Sequence, residues 1–133
     1  MIFVLDSSVF INDLRTVRHQ ERIQSLAGVI RTSAVVLAEL WRGATKPSDR
    51  KFLLALEKTY PILTPTQENW LESGEILGAI RADRGFAPTK LRDLHFDVLI
   101  ALTARSHGAR LITTDRTDFE LISRYRKIDL EVW

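Results

Sequence analysis

Asp6, Glu39, Asp97 and Asp115 are the residues whose types and positions could do chemistry, because each lies within or just beyond an apolar segment. Asp6 follows the run Ile2-Phe3-Val4-Leu5, and Asp115 follows Leu111-Ile112-Thr113-Thr114 in the same way. A carboxylate at the edge of a core loses hydration, which costs several kcal/mol unless something cationic meets it. Four of them drawn together would repel one another and take up protons unless divalent cations kept them ionised. All-oxygen donor sets select hard ions, so Mg2+, with Mn2+ as substitute, is favoured over Zn2+. Asp118, three residues after Asp115, is the next candidate ligand, and Asp93, one turn before Asp97, is a weaker one.

Taken singly, each acid has a plainer reading. Asp6 could cap a helix, Glu39 could pair with Arg42, Asp97 could cap or pair near Arg92, and Asp115 could start a turn. Taken together they would have to fall at one end of one sheet by four independent accidents. The three histidines, His19, His95 and His107, have no paired metal-ligand spacing, and none is given a catalytic role.

The elements that must position these acids alternate between strand and helix. Residues 2–5 read as a short, continuously apolar strand of the kind found in a sheet covered on both faces. Ser7 or Ser8 can cap a helix through Val9, Phe10 and Leu14. A second helix is expected from Val17 to Ala27, ended by Gly28, then a strand from Val29 to Thr32. Ser33 caps a helix with Val36, Leu37, Leu40 and Trp41 as one apolar stripe. A turn through Pro47 leads into a helix to Lys58, and Tyr60 to Thr64 is a strand that Pro61 confines to a strand start or sheet edge.

Thr66 to Arg81 is expected as a helix with Trp70, Leu71, Gly74, Leu77 and Ile80 at helical spacing, forming a hairpin-like unit with the helix before it. The loop Arg84 to Lys90 leads to a helix from about Leu91 to His107, with Asp97 in its first turns. A strand at Leu111 to Thr114, a short helix from Asp118 to Arg124 and a strand at Leu130 to Trp133 complete the chain. This order implies βα units and a three-layer α/β/α sandwich around a mostly parallel sheet of four to five strands. Ligand sites in such sheets form beyond the carboxyl ends of the strands. The 18 residues from Asp97 to Asp115 suffice for the rest of a helix, the Gly108 turn and a strand, so both acids can meet there.

A length of 133 residues, 45% of them hydrophobic, fits one domain spanning 1–133. The absence of cysteine removes disulfides and thiolate metal sites. No leader-like or long apolar segment is seen, so a cytoplasmic protein with no membrane contact is expected. The net charge of +2 conceals an asymmetry: with the four acids set apart, 19 basic residues face 13 acidic ones, and 14 of the 19 are arginine. An acidic site in an arginine-rich surface suits a polyanion handled by metal ions.

At these residues the chain resembles the PIN-domain ribonucleases, and among them the VapC toxins of type II toxin–antitoxin pairs. The matching segments are Val4-Leu5-Asp6-Ser7-Ser8-Val9, Thr32-Ser33, Ala38-Glu39-Leu40-Trp41-Arg42-Gly43 and Phe96-Asp97-Val98-Leu99-Ile100-Ala101. Gly108-Ala109-Arg110-Leu111-Ile112-Thr113-Thr114-Asp115 with Asp118-Phe119, and the final Leu130-Glu131-Val132-Trp133, continue the match in order along the whole chain. Ser7 stands where threonine is frequent in the family.

The resemblance implies a metal-dependent endoribonuclease in which Asp6, Glu39, Asp97 and Asp115 are catalytic and bind Mg2+, with Asp118 auxiliary. One or two ions would lower the pKa of a water and set it in line with an RNA phosphodiester. Ser8, Ser33 and Thr113 match positions that carry hydroxyls near the acids. They and Arg116 are the expected substrate-binding residues, with Arg15, Arg42, Arg84 and Lys90 further candidates for holding phosphates. The resemblance also implies a cognate VapB-type antitoxin and a homodimer, with Phe52 to Leu56 and Trp70 to Ile80 as a possible groove for a partner helix.

Other readings differ at particular residues. A haloacid-dehalogenase-type phosphatase needs a second acid where this chain has Ser8, and a receiver domain needs a further acid beside the first strand and a lysine at a late strand end. A PIN-like module that binds RNA or protein without cutting would gain nothing from four clustered carboxylates.

Overall fold

A computed structural model describes the backbone of residues 1–16 and 19–133, and the side chains of these except 12–16. Leu14, Arg15 and Val17, named above, therefore lie outside the described side chains. Five strands, β1 (Ile2–Leu5), β2 (Val29–Ser33), β3 (Ile62–Leu63), β4 (Arg110–Thr113) and β5 (Leu130–Val132), form one parallel sheet in the order β3-β2-β1-β4-β5. The helices are α1 (Ser7–Thr16), α2 (Gln20–Gln24), α3 (Ala34–Arg42), α4 (Pro47–Thr59), α5 (Gln67–Arg84), α6 (Pro88–Ser106) and α7 (Arg116–Tyr125). They flank the sheet as a three-layer α/β/α sandwich, the expected class. Among the described residues no helix is long and apolar enough to cross a membrane.

The order matters for function because the chain adds β2 and β3 on one side of β1, then returns to its other side with β4. Phe3 pairs with Arg110, Val4 with Leu111 and Leu5 with Ile112, so β1 and β4 end side by side. The crevice beyond those two ends is the topological switch point. Val4, Leu5, Leu111 and Ile112 are fully buried there, as the continuous apolar runs require.

Several elements depart from expectation for identifiable reasons. On α5, where the apolar positions could form either a groove or core, Trp70 and Leu71 are 50% and 65% exposed. Its buried face is Asn69, Ser73, Ile76, Leu77 and Ile80. Asn69 Nδ2 donates to Ser106 Oγ (2.9 Å), and Ser73 Oγ lies 3.0 Å from His95 Nε2. Hydrogen bonding across the α5–α6 seam thus makes two polar residues better core than a tryptophan. α5 packs on α6 and α7 rather than forming a hairpin with α4, which lies against α3.

α6 begins at Pro88, three residues earlier than expected, because proline suits the first helical position. Asp97 consequently sits in the middle of its helix rather than in the first turns. The expected helix from Val17 to Ala27 is described only as α2. Gly28 is required for a different reason than ending it: a Cβ there would lie 2.2 Å from the Met1 carbonyl oxygen. The strand around Pro61 contracts to β3 at the sheet edge, where the Pro61 carbonyl still accepts from Thr32 N–H (3.0 Å).

Candidate metal centre

Asp6 is the first residue past β1, and its backbone N–H donates to Ile112 O (2.8 Å), which extends the β1–β4 ladder by one step and fixes where its side chain starts. The carboxylate is 3% exposed. Ser8 Oγ and Thr113 Oγ1 both donate to Asp6 Oδ2 at 2.8 Å. Those hydroxyls in turn accept from Thr114 N–H (3.0 Å) and Asp115 N–H (2.9 Å). With each hydroxyl proton directed at Asp6 and one lone pair of each taken by backbone N–H, one carboxylate oxygen is held in place from both sides. The other, Oδ1, has among the described residues only a long contact of 3.5 Å to Ser7 Oγ, which also reaches Glu39 Oε1 at 3.3 Å.

Glu39 comes from α3, whose start is set by Ser33: its hydroxyl accepts from Val35 and Val36 N–H at 3.1 and 3.5 Å. Asp97 comes from mid-α6, between the buried Leu94 and Val98. Asp115 is the N-cap of α7, accepting from Asp118 N–H (3.2 Å). Its plain capping role and its place among the acids thus coexist. Asp118, in the first turn of α7, meets Lys90 Nζ at 3.0 Å.

The four acids and Asp118 converge as two overlapping trios. Carboxylate oxygens of Asp6, Glu39 and Asp97 lie within 4.8 Å of one another, as do those of Asp97, Asp115 and Asp118. Asp97 belongs to both. Burial first, and then the charges of Asp6, Glu39, Asp115 and Asp118, push the Asp97 carboxyl up to about 8. Burial and the charge of Asp6 raise Glu39 to about 7, against the opposing Ser7 hydrogen bond and the Arg42 guanidinium. Burial likewise raises Asp115, although the Asp118 backbone N–H opposes it. Among the described residues, cations answer little of this: Lys90 meets Asp118, and Arg42 lies over the Phe96 ring, 5.6 Å from its centroid.

An all-carboxylate donor set of this spacing, short of internal cations, fits a hard divalent ion. Of the hydroxyl residues expected to touch substrate, Ser8 and Thr113 orient Asp6. Ser33 is fully buried and caps α3, so substrate contact is corrected to a structural role there. Arg116 is exposed at the start of α7 and pairs with Glu120 at 2.7 Å. Sequence alone does not indicate the roles of two contributors: Ser7, which bridges Asp6 and Glu39, and Lys90, which neutralises Asp118. Adjacency to Asp6 was a signal for Ser7; nothing local pointed from Lys90 to a residue 28 positions away. Asp93 is exposed and outside both trios.

A parallel α/β/α sandwich with clustered carboxylates at its switch point defines a class of candidate metal-centre proteins. Residues 3–125 match the PIN domain family, and the chain belongs to that family. Among solved structures it is similar to VapBC-1 from nontypeable Haemophilus influenzae, at 22% identity over 100% of this chain and 98% of that one, with a TM-score of 0.75. It is also similar to DNA-bound VapBC from Salmonella typhimurium, at 26% identity, 100% and 98% coverage and a TM-score of 0.70. A third is VapC20 from Mycobacterium tuberculosis, described as a sarcin–ricin loop cleaving toxin, at 19% identity, 90% and 94% coverage and a TM-score of 0.67. Comparison with curated protein sequences gives no match.

Proposed function

We propose that this chain is a Mg2+- or Mn2+-dependent endoribonuclease, acting as a single catalytic domain and as the toxin of a cytoplasmic toxin–antitoxin pair. The observation that carries this reading is the convergence of five carboxylates in two trios that share Asp97, whose carboxyl burial and four neighbouring acids push up to about 8. Membership of the PIN domain family, and similarity to folds crystallised as VapBC complexes, support both the nuclease and its antitoxin partner.

Asp6, Glu39 and Asp97 would hold one ion, and Asp97, Asp115 and Asp118 are the donors available to a second. A bound divalent ion supplies positive charge for the phosphodiester oxygens and for activation of the attacking water. Asp6 presents Oδ1 in a fixed direction because Ser8 and Thr113 hold Oδ2. Ser7 keeps Asp6 and Glu39 in register. Lys90 limits the negative charge around Asp118 and so lets an anionic strand approach the α7 side. Arg116, exposed beside Asp115, would meet a phosphate there. The exposed Leu54, Trp70 and Leu71 are candidates for covering by an antitoxin or a second copy.

Antitoxin-free protein incubated with RNA in Mg2+, Mn2+ or EDTA tests the reading. Cleavage with either metal and none in EDTA is expected. Cleavage undiminished by EDTA would overturn the metal mechanism, and metal-dependent RNA binding without cleavage would favour a binding module instead.

A further inference from the structure

Beside the acid cluster, on the outer side of Asp118, lies a cleft of about 350 Å³ whose charge is opposite to that of the site it adjoins. That volume is within the roughly 300–1,000 Å³ typical of small-ligand clefts. Its two acids are already answered: Asp118 by Lys90 at 3.0 Å and Glu120 by Arg116 at 2.7 Å. Arg84 and Arg124 also line it, and among the described residues neither has an ion pair or a side-chain hydrogen bond. The cleft therefore carries two uncompensated guanidinium groups.

A cation in the last turn of a helix is favoured by the dipole, and Arg84 ends α5 while Arg124 is near the end of α7. That accounts for each arginine alone, but not for the two meeting across one cleft beside a half-buried Phe86. Guanidinium forks suit phosphate oxygens, and an aromatic face suits an unpaired base. From Asp118 to Arg124 is about 9 Å along α7, so the cleft leads directly away from the acids.

We propose that this cleft is a subsite for the RNA strand beside the cut, where Arg84 and Arg124 hold one phosphate and Phe86 takes the face of a base. The subsite rests on the ribonuclease reading for its substrate, yet its binding chemistry can be measured without cleavage.

The test is fluorescence anisotropy of a labelled single-stranded RNA in EDTA, followed by steady-state cleavage in Mn2+. It compares wild type, Arg84→Ala/Arg124→Ala, Phe86→Leu and a charge-matched control, Arg50→Ala/Arg81→Ala. The cleft double variant should bind roughly tenfold more weakly than the control. Its log K against log salt slope should be shallower by about 0.7 for the lost phosphate contact. Phe86→Leu should weaken binding with an unchanged slope, and in the cleavage arm both cleft variants should raise KM while leaving kcat near wild type. Binding, slope and KM equal to the control's for the double variant would overturn the subsite, and wild-type binding by Phe86→Leu would overturn its stacking role. Wild-type protein that binds through the cleft but never cleaves would overturn the ribonuclease reading while supporting the subsite.

Discussion

Two polar regions of this molecule each join buried to partly exposed groups and differ in how those groups are answered. In the α5–α6 seam, Asn69 meets Ser106 and Ser73 meets His95, and the Thr66 N-cap is tied to Asn69 in both directions at 3.0 and 3.1 Å. At the β1–β4 ends, among the described residues only Asp6 has a comparable set of donors, while Glu39, Asp97 and Asp115 are raised by burial and by neighbouring acids, Asp6 among them in each case. Neutral groups paired with neutral groups hold helices together. Like charges gathered without a cation are expensive to keep, and they point to something that arrives from outside.

The largest effect that could break this contrast is expected at Asp97, the acid shared by both trios. Asp97→Asn should lower RNA cleavage by more than about 100-fold, while raising the melting temperature of the metal-free protein by removing an acid whose ionisation the fold suppresses. A melt in EDTA and a cleavage assay read both, and loss of stability together with loss of activity would make Asp97 an ordinary structural residue. Thr113→Val comes next. It removes a donor to Asp6 and leaves the Asp115 N–H unanswered, so cleavage should fall by about 10–100-fold with weaker metal affinity.

Asn69→Ala sharpens the other side of the contrast. It should cost about 1–3 kcal/mol in urea denaturation, because Ser106 loses its partner and the Thr66 cap its reciprocal bond, and it should leave metal dependence unchanged. A shift in metal affinity would mean that the seam and the acid site are one system.

Legibility followed the same divide. Asp6 and Asp115 were readable because each follows a run of apolar strand residues, and the alternation of strands and helices was enough to bring both to one sheet end. Glu39 and Asp97, ambiguous when each is taken alone, joined the site only through the set of four and the family resemblance, and α6 starts earlier than expected, which moves Asp97 to its middle. The inward face of α5 was not readable: burying Asn69 and Ser73 in preference to Trp70 and Leu71 depends on partners 37 and 22 residues away. Lys90 reads from sequence only as a phosphate contact for a similar reason, since its pairing with Asp118 exists only once α6 and α7 are packed together. Hydropathy places apolar side chains well, but which polar ones join them is decided by tertiary hydrogen bonds.

The pH dependence of metal binding follows from the raised acids. A carboxyl whose folded pKa lies above its unfolded value binds more protons folded than unfolded between the two. The metal-free protein should therefore lose stability as pH rises from about 4.5 through the values near 7 and 8 of Glu39 and Asp97. Metal ions compete with those protons, so their affinity should rise over the same window.

Calorimetric titration of Mn2+ into the protein at pH 6 and pH 8, in wild type and Asp97→Asn, tests the metal centre most directly. Saturable binding that tightens at pH 8, releases protons at pH 6 and is lost in Asp97→Asn is the predicted result. Absence of saturable binding at pH 8, or binding that Asp97→Asn leaves intact, would contradict it.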